Sequence, residues 1–278
     1  MPDIATFEGH IAGNTIEHMA ENVIKTSSQL ITIIPNLTRQ PRVTLVSQHV
    51  AEHFFGAVLM RDHKKFWNYF NRFSSVSESR TPAGWLWELH AIQVELKNRK
   101  KRTISLRQLS PVTPLSEPPK KKSRITPDDI KLPFSLVTGH GDKVSLGKEL
   151  SRIVSSSPSK PTLFIPGARN QATFDAFSIS GDNVVTLYQA TIQKSHSVKA
   201  KGLDFVWDAL VEGTPHVNRQ MPSSVRKWRV VFLIPEEVEK HWQKPQDIDF
   251  GGIKPKRQWS QYVEQFVGVL PKRYVSIL

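Results

Sequence analysis

Between Thr173 and Lys201 two short apolar runs flank a tight polar break. Phe174, Ala176 and Phe177 lie on one side of Ser180-Gly181-Asp182-Asn183; Val184 to Leu187 and Ile192 lie on the other. Gly and Asp between two such runs predict a hairpin, because tight hairpin turns need positive φ. Trp228 to Pro235 is apolar on both faces of an extended chain and predicts a central strand. Shorter strands are expected at 42–46, 103–109 and 160–166. A helical period recurs in five places. It runs from Val50 to Val58 after an N-cap at Ser47, and through Phe66, Trp67, Tyr69, Phe70 and Phe73. It continues over Gly84 to Lys97, opened by Thr81-Pro82-Ala83, with Trp85, Leu86, Leu89, Ile92 and Leu96 as the buried stripe. Gly202 to Val211 and Trp259 to Leu270 complete the set. The first forty residues carry a weaker pattern around Ile16 to Ile34 and read as a helix or strand leading in.

One stretch interrupts this. Residues 110–130 hold prolines at 111, 114, 118, 119 and 127 around Lys120, Lys121, Lys122 and Arg124. Such a segment has too little apolar surface to order itself, and predicts a disordered basic insertion. A basic run between prolines is similar to a nuclear import signal, whose partner would be an import receptor. A plain charged linker is the rival reading. The expected organisation is a lead-in over 1–40 and an α/β domain over 41–278, interrupted by 110–130.

Charge narrows the partner. The chain has 38 Lys+Arg against 25 Asp+Glu, a net +13, which favours a polyanion such as nucleic acid or an anionic membrane surface. No run of 18 apolar residues exists to span a membrane. The absence of cysteine excludes disulfides and thiolate metal sites. The first residues lack the basic start and apolar core of a signal peptide.

The candidate chemistry gathers on the hairpin. Asp175 sits inside its first arm and Gln189 inside its second, followed by Lys194, His196, Lys199 and Lys201. An acid facing an acceptor on the neighbouring strand, with a lysine nearby, can hold a divalent cation against a phosphodiester. Glu88 lies close to the apolar side of its helix, which ends in a basic cluster containing Lys100, Lys101 and Arg102. That cluster suits a helix C-terminus and also suits phosphates. His49 and His53 match H-x-x-E-H, a pattern of some zinc peptidases, and share one helical face. No third ligand accompanies them, and a solvated polar face is the preferred reading. Gly139 to Lys148 has the wrong spacing for a phosphate loop, and Glu149 replaces the required Ser/Thr.

Three strings carry a resemblance: Ala83-Gly84-Trp85-Leu86-Trp87-Glu88-Leu89-His90, Thr173-Phe174-Asp175-Ala176-Phe177, and Leu187-Tyr188-Gln189-Ala190-Thr191-Ile192 with Lys194 and His196. In this order they resemble the C-terminal nuclease region of Crinkler and retrotransposon-hot-spot proteins, which is similar to the PD-(D/E)xK, restriction-endonuclease-like superfamily. The likeness covers about residues 42–278. It implies a helix-strand-strand-strand-helix-strand core, a mixed sheet flanked by helices. The implied activity is Mg²⁺-dependent cleavage of DNA by an effector-type protein acting in a nucleus. By the same resemblance Glu88 matches the helix acid, Asp175 the strand acid that ligates Mg²⁺, Gln189 the position more often Asp or Glu, and Lys194 the basic residue at the phosphate. Family members often carry an N-terminal delivery module and a nucleotide-hydrolysing domain; neither is visible, so a fragment or a reduced member is expected. Two positions depart from the superfamily. Gln189 is neutral, and Thr191 stands where its lysine usually lies. Lys194 is five residues past Gln189, so a regular strand faces it away unless the strand bulges or ends near Gln193; Lys199 is the substitute. A binding module with the same fold and degraded chemistry is the alternative.

Overall fold

A computed structural model of the chain describes residues 31–34, 42–45, 55–56, 58–59, 62–75, 80–97, 104–110, 135–138, 161–166, 173–180, 183–213, 220–252 and 255–272. The chain forms two compact units, one of residues 1–89 with 273–278, the other of 90–272.

In the first unit, β1 (Ile31–Ile34) pairs antiparallel with β2 (Arg42–Leu45). Two helices follow, α1 (His63–Ser75) and α2 (Arg80–Leu89). Asp62 caps α1, its Oδ1 accepting from Lys65 N at 3.0 Å. The aromatics spaced three and four apart on α1 form core, as expected: Phe66, Trp67, Tyr69 and Phe70 are buried. The stripe on α2 is rotated from the expected one. Trp87 is buried, with its ring centroid 6.4 Å from Trp67 and 5.9 Å from Phe70, while Trp85 and Leu89 are half-buried.

In the second unit, residues His90–Lys97 adopt π-helical turns instead of the α-helix expected to run to Lys97. The wider turn sets residues five apart side by side, and His90 Nε2 lies 3.7 Å from Glu95 Oε1, both side chains buried. An α-helix turns residues five apart to different faces.

The second unit is built on a mixed seven-stranded sheet flanked by helices. Its strands are β3 (Leu106–Gln108), β4 (Ser135–Thr138), β5 (Thr162–Ile165), β6 (Ala176–Ile179), β7 (Val185–Ala190), β9 (Trp228–Pro235) and β11 (Val263–Leu270), in the order β3-β11-β9-β7-β6-β5-β4. A small separate ladder pairs β8 (Val198–Lys199) in parallel with β10 (Ile248–Asp249). Helix α3 (Ala200–Gly213) crosses from β7 to its parallel neighbour β9. Its apolar stripe, Leu203, Val206 and Leu210, is buried with Phe177, Leu187, Val230, Phe232 and Val267 of the sheet. Each such side chain contributes about 1.5–3 kcal/mol by leaving water.

The hairpin forms as its turn residues predict. Ala176 pairs with Tyr188 and Ile179 with Val185, and Ser180 N donates to Val184 O at 3.1 Å. Asn183 has φ 63, the left-handed conformation that Asn tolerates. Carrying the register one step past Ala176 and Tyr188 sets Asp175 opposite Gln189.

One further expectation is corrected. Trp259 to Leu270 is not a helix: a single turn, α4 (Trp259–Tyr262), leads into β11. Trp259, Tyr262, Val263, Phe266 and Val267 fit a helical period, while the valines suit an extended chain equally well. The extended form wins because β11 pairs with β9 over eight residues, from Val263↔Trp228 to Leu270↔Pro235. The strand expected at 103–109 forms over Leu106–Gln108. Its ladder, β3, pairs with β11 at one edge of the sheet, and the hairpin's outer neighbour is β5.

Candidate functional site

The open end of the β6–β7 hairpin brings Asp175 and Gln189 together. Asp175 N donates to Tyr188 O at 2.8 Å, which fixes the backbone just ahead of β6. Its carboxylate Oδ2 accepts from Ala190 N at 2.7 Å and from Gln189 Nε2 at 3.0 Å. No cationic side chain is paired with Asp175 among the described residues. Burial pushes its carboxyl up to about 7, against the opposing pull of the Ala190 and Gln189 hydrogen bonds. A desolvated carboxylate held by neutral donors is a place where a cation is favoured.

Asp175 is approached through a strained residue. Thr173 has φ 84, a genuine outlier for a β-branched side chain. Such backbone costs about 1–3 kcal/mol and persists only where its surroundings hold it. Here Thr173 is buried and its hydroxyl donates to Lys199 O, the last residue before α3. Between them Phe174 packs edge-on against Phe177 at 5.7 Å and against Phe205 of α3 at 6.3 Å.

The basic residues follow on the segment after β7. That strand ends at Ala190, so strand alternation does not extend to Lys194, which lies exposed in a bend. The segment is fastened to 242–247: Trp242 Nε1 donates to Gln193 O at 3.0 Å, His196 N to Gln246 Oε1 at 3.0 Å, and Val198 N to Asp247 O at 2.9 Å. Gln265 braces Gln246 from β11, accepting from its N at 2.7 Å and donating to its O at 2.8 Å. His196 is half-buried, and burial lowers its imidazole below the usual value; Nδ1 lies 3.1 Å from Ser197 O. The Lys199 ammonium is paired with Asp249 on β10. Lys201 is exposed in the first turn of α3.

Glu88 is half-buried on α2 of the first unit. Lys100, Lys101 and Arg102, the import-like run Lys120, Lys121, Lys122 and Arg124, and the His49/His53 pair lie outside the described residues. Among the described residues no group of three or more His, Asp or Glu is gathered as a metal cluster, and no helix is long and apolar enough to cross a membrane. Sequence reasoning missed Thr173, Gln246, Gln265 and Asp249. The only local signal was Asp249 before Gly251-Gly252, where Asp249 Oδ1 accepts from Gly251 N at 2.7 Å. No protein-family model, curated protein or solved structure matches the chain.

Proposed function

We propose that the chain is a Mg²⁺-dependent DNA phosphodiesterase of the restriction-endonuclease-like class, acting in the nucleus, with Asp175 as its metal-holding acid. The observation that carries this reading is the desolvated Asp175 carboxylate, unpaired with any cation among the described residues and set beside the Gln189 amide. Two neutral donors occupy Oδ2, which leaves Oδ1 for an ion. Asp175 Oδ1 and the Gln189 amide oxygen are hard donors of the kind magnesium takes, with waters completing its shell. Bound there, the ion would polarise a phosphoryl oxygen and lower the pKa of a coordinated water. Lys194 and Lys201, exposed on the segment after β7, supply positive charge for the phosphate backbone. Lys120, Lys121, Lys122 and Arg124 serve an import receptor.

One observation favours a second reading. Gln189 turns its NH₂ toward Asp175, the arrangement of a self-satisfied structural pair, as in a module that binds DNA without cutting it. Incubation of supercoiled plasmid with the full chain, with and without Mg²⁺, separates the two. Nicking that requires Mg²⁺ supports the phosphodiesterase; plasmid retention with no nicking under any of Mg²⁺, Mn²⁺ or Ca²⁺ supports the binding module.

A further inference from the structure

The geometry points to Thr173 as a positioning residue for Asp175: its left-handed backbone and its hydroxyl bond to Lys199 O aim the acid at the open end of the hairpin. This rests on the reading of Asp175 as the site's acid. A β-branched residue at φ 84 is out of place in an ordinary connection, where Gly or Asn would adopt that conformation without penalty. What holds it is visible. The hydroxyl is tied to the start of α3, and Phe174 is wedged between Phe177 of β6 and Phe205 of α3. The next residue is Asp175, whose backbone is bonded to Tyr188 and whose side chain reaches Ala190 and Gln189. An ordinary φ at 173 would swing Phe174 out of its wedge and Asp175 away from Gln189. Strain kept beside a functional acid and offset by surrounding contacts is the pattern of a preorganised site.

The test is native-state amide hydrogen exchange on the full chain without added metal, in Thr173→Ser, Thr173→Val and Thr173→Gly. The Asp175 and Ala190 amides report the acid directly, since one donates to Tyr188 O and the other to Asp175 Oδ2. Val231 and Phe232, in the middle of β9, report global stability. Ser is expected to keep wild-type exchange at all four. Val and Gly are expected to speed Asp175 and Ala190 by about tenfold while β9 stays protected. Gly is expected to melt no lower than Val, because it relieves the backbone strain while losing the hydroxyl. Wild-type exchange at Asp175 and Ala190 in both Val and Gly overturns the positioning role, as does acceleration spread equally over β9. If the wild type does not cleave DNA, the functional reading falls, and these exchange rates still decide Thr173.

Discussion

Gln189 Nε2 donates to Asp175 Oδ2 at 3.0 Å, across the end of a hairpin whose register places the two side by side. Ala190 N meets the same oxygen at 2.7 Å. Two hydrogen bonds favour the charged carboxylate, yet its pKa still rises to about 7, because burial removes more hydration than the neutral donors return. The fold therefore carries an acid that ionises reluctantly, at the spot where a cation would relieve it.

Asp175→Asn should stabilise the protein in a pH-dependent way. The folded-state pKa is raised from 3.8 to about 7, so the folded protein binds this proton more tightly than the unfolded chain. The associated stability is fully present below pH 3.8 and is lost as pH rises through about 7. Asn stays neutral and its oxygen can still accept from Ala190 N. Asp175 is half-buried by surface area, so water screens part of this penalty, and at pH 8 the variant should melt higher than wild type by an amount on the order of 2 kcal/mol. At pH 4 the two should melt together. Equal melting at both values contradicts the buried-carboxylate account.

Gln189→Glu places a second acid beside Asp175. Its oxygens add negative charge beside Asp175, so Mn²⁺ affinity at pH 8, read by electron paramagnetic resonance, should rise by about tenfold. The metal-free protein should melt lower, since two carboxylates now face each other in a desolvated corner. Gln189→Leu should weaken Mn²⁺ binding. Identical affinity in all three proteins removes Gln189 from the site.

Arg257 stabilises the second unit through shape as well as charge. Its guanidinium lies 4.4 Å from the Trp207 ring centroid, bonds Asp204 at 2.5 Å and approaches Asp208 at 3.5 Å. Arg257→Ala should cost about 2 kcal/mol in denaturant melts. Arg257→Lys should recover less than half, because an ammonium neither stacks on the ring nor spans two carboxylates. Full rescue by Lys would show that charge alone matters.

Much of the sheet was legible because turn chemistry and apolar runs are local. Ser180 to Asn183 announced the hairpin, and the hairpin's register then set Asp175 beside Gln189. The apolar run of β9, broken only by Arg229, announced a central strand. What failed were properties set by distant partners. Val263 to Leu270 reads as helix until β9 is known to lie beside it. Lys199 reads as a free cation, but its partner, Asp249, lies fifty residues on. Thr173 carries no signal, since nothing in a threonine's identity announces a left-handed backbone. The assignment of β3 to the far edge likewise depends on β11, more than 150 residues later.

The most direct measurement is Mg²⁺-dependent cleavage of plasmid DNA by the full chain and by Asp175→Ala, with DNA affinity followed in parallel. Cleavage should fall by at least about a hundredfold while affinity stays within about twofold, because the basic residues proposed to meet the backbone are untouched. Undiminished cleavage by Asp175→Ala would contradict it.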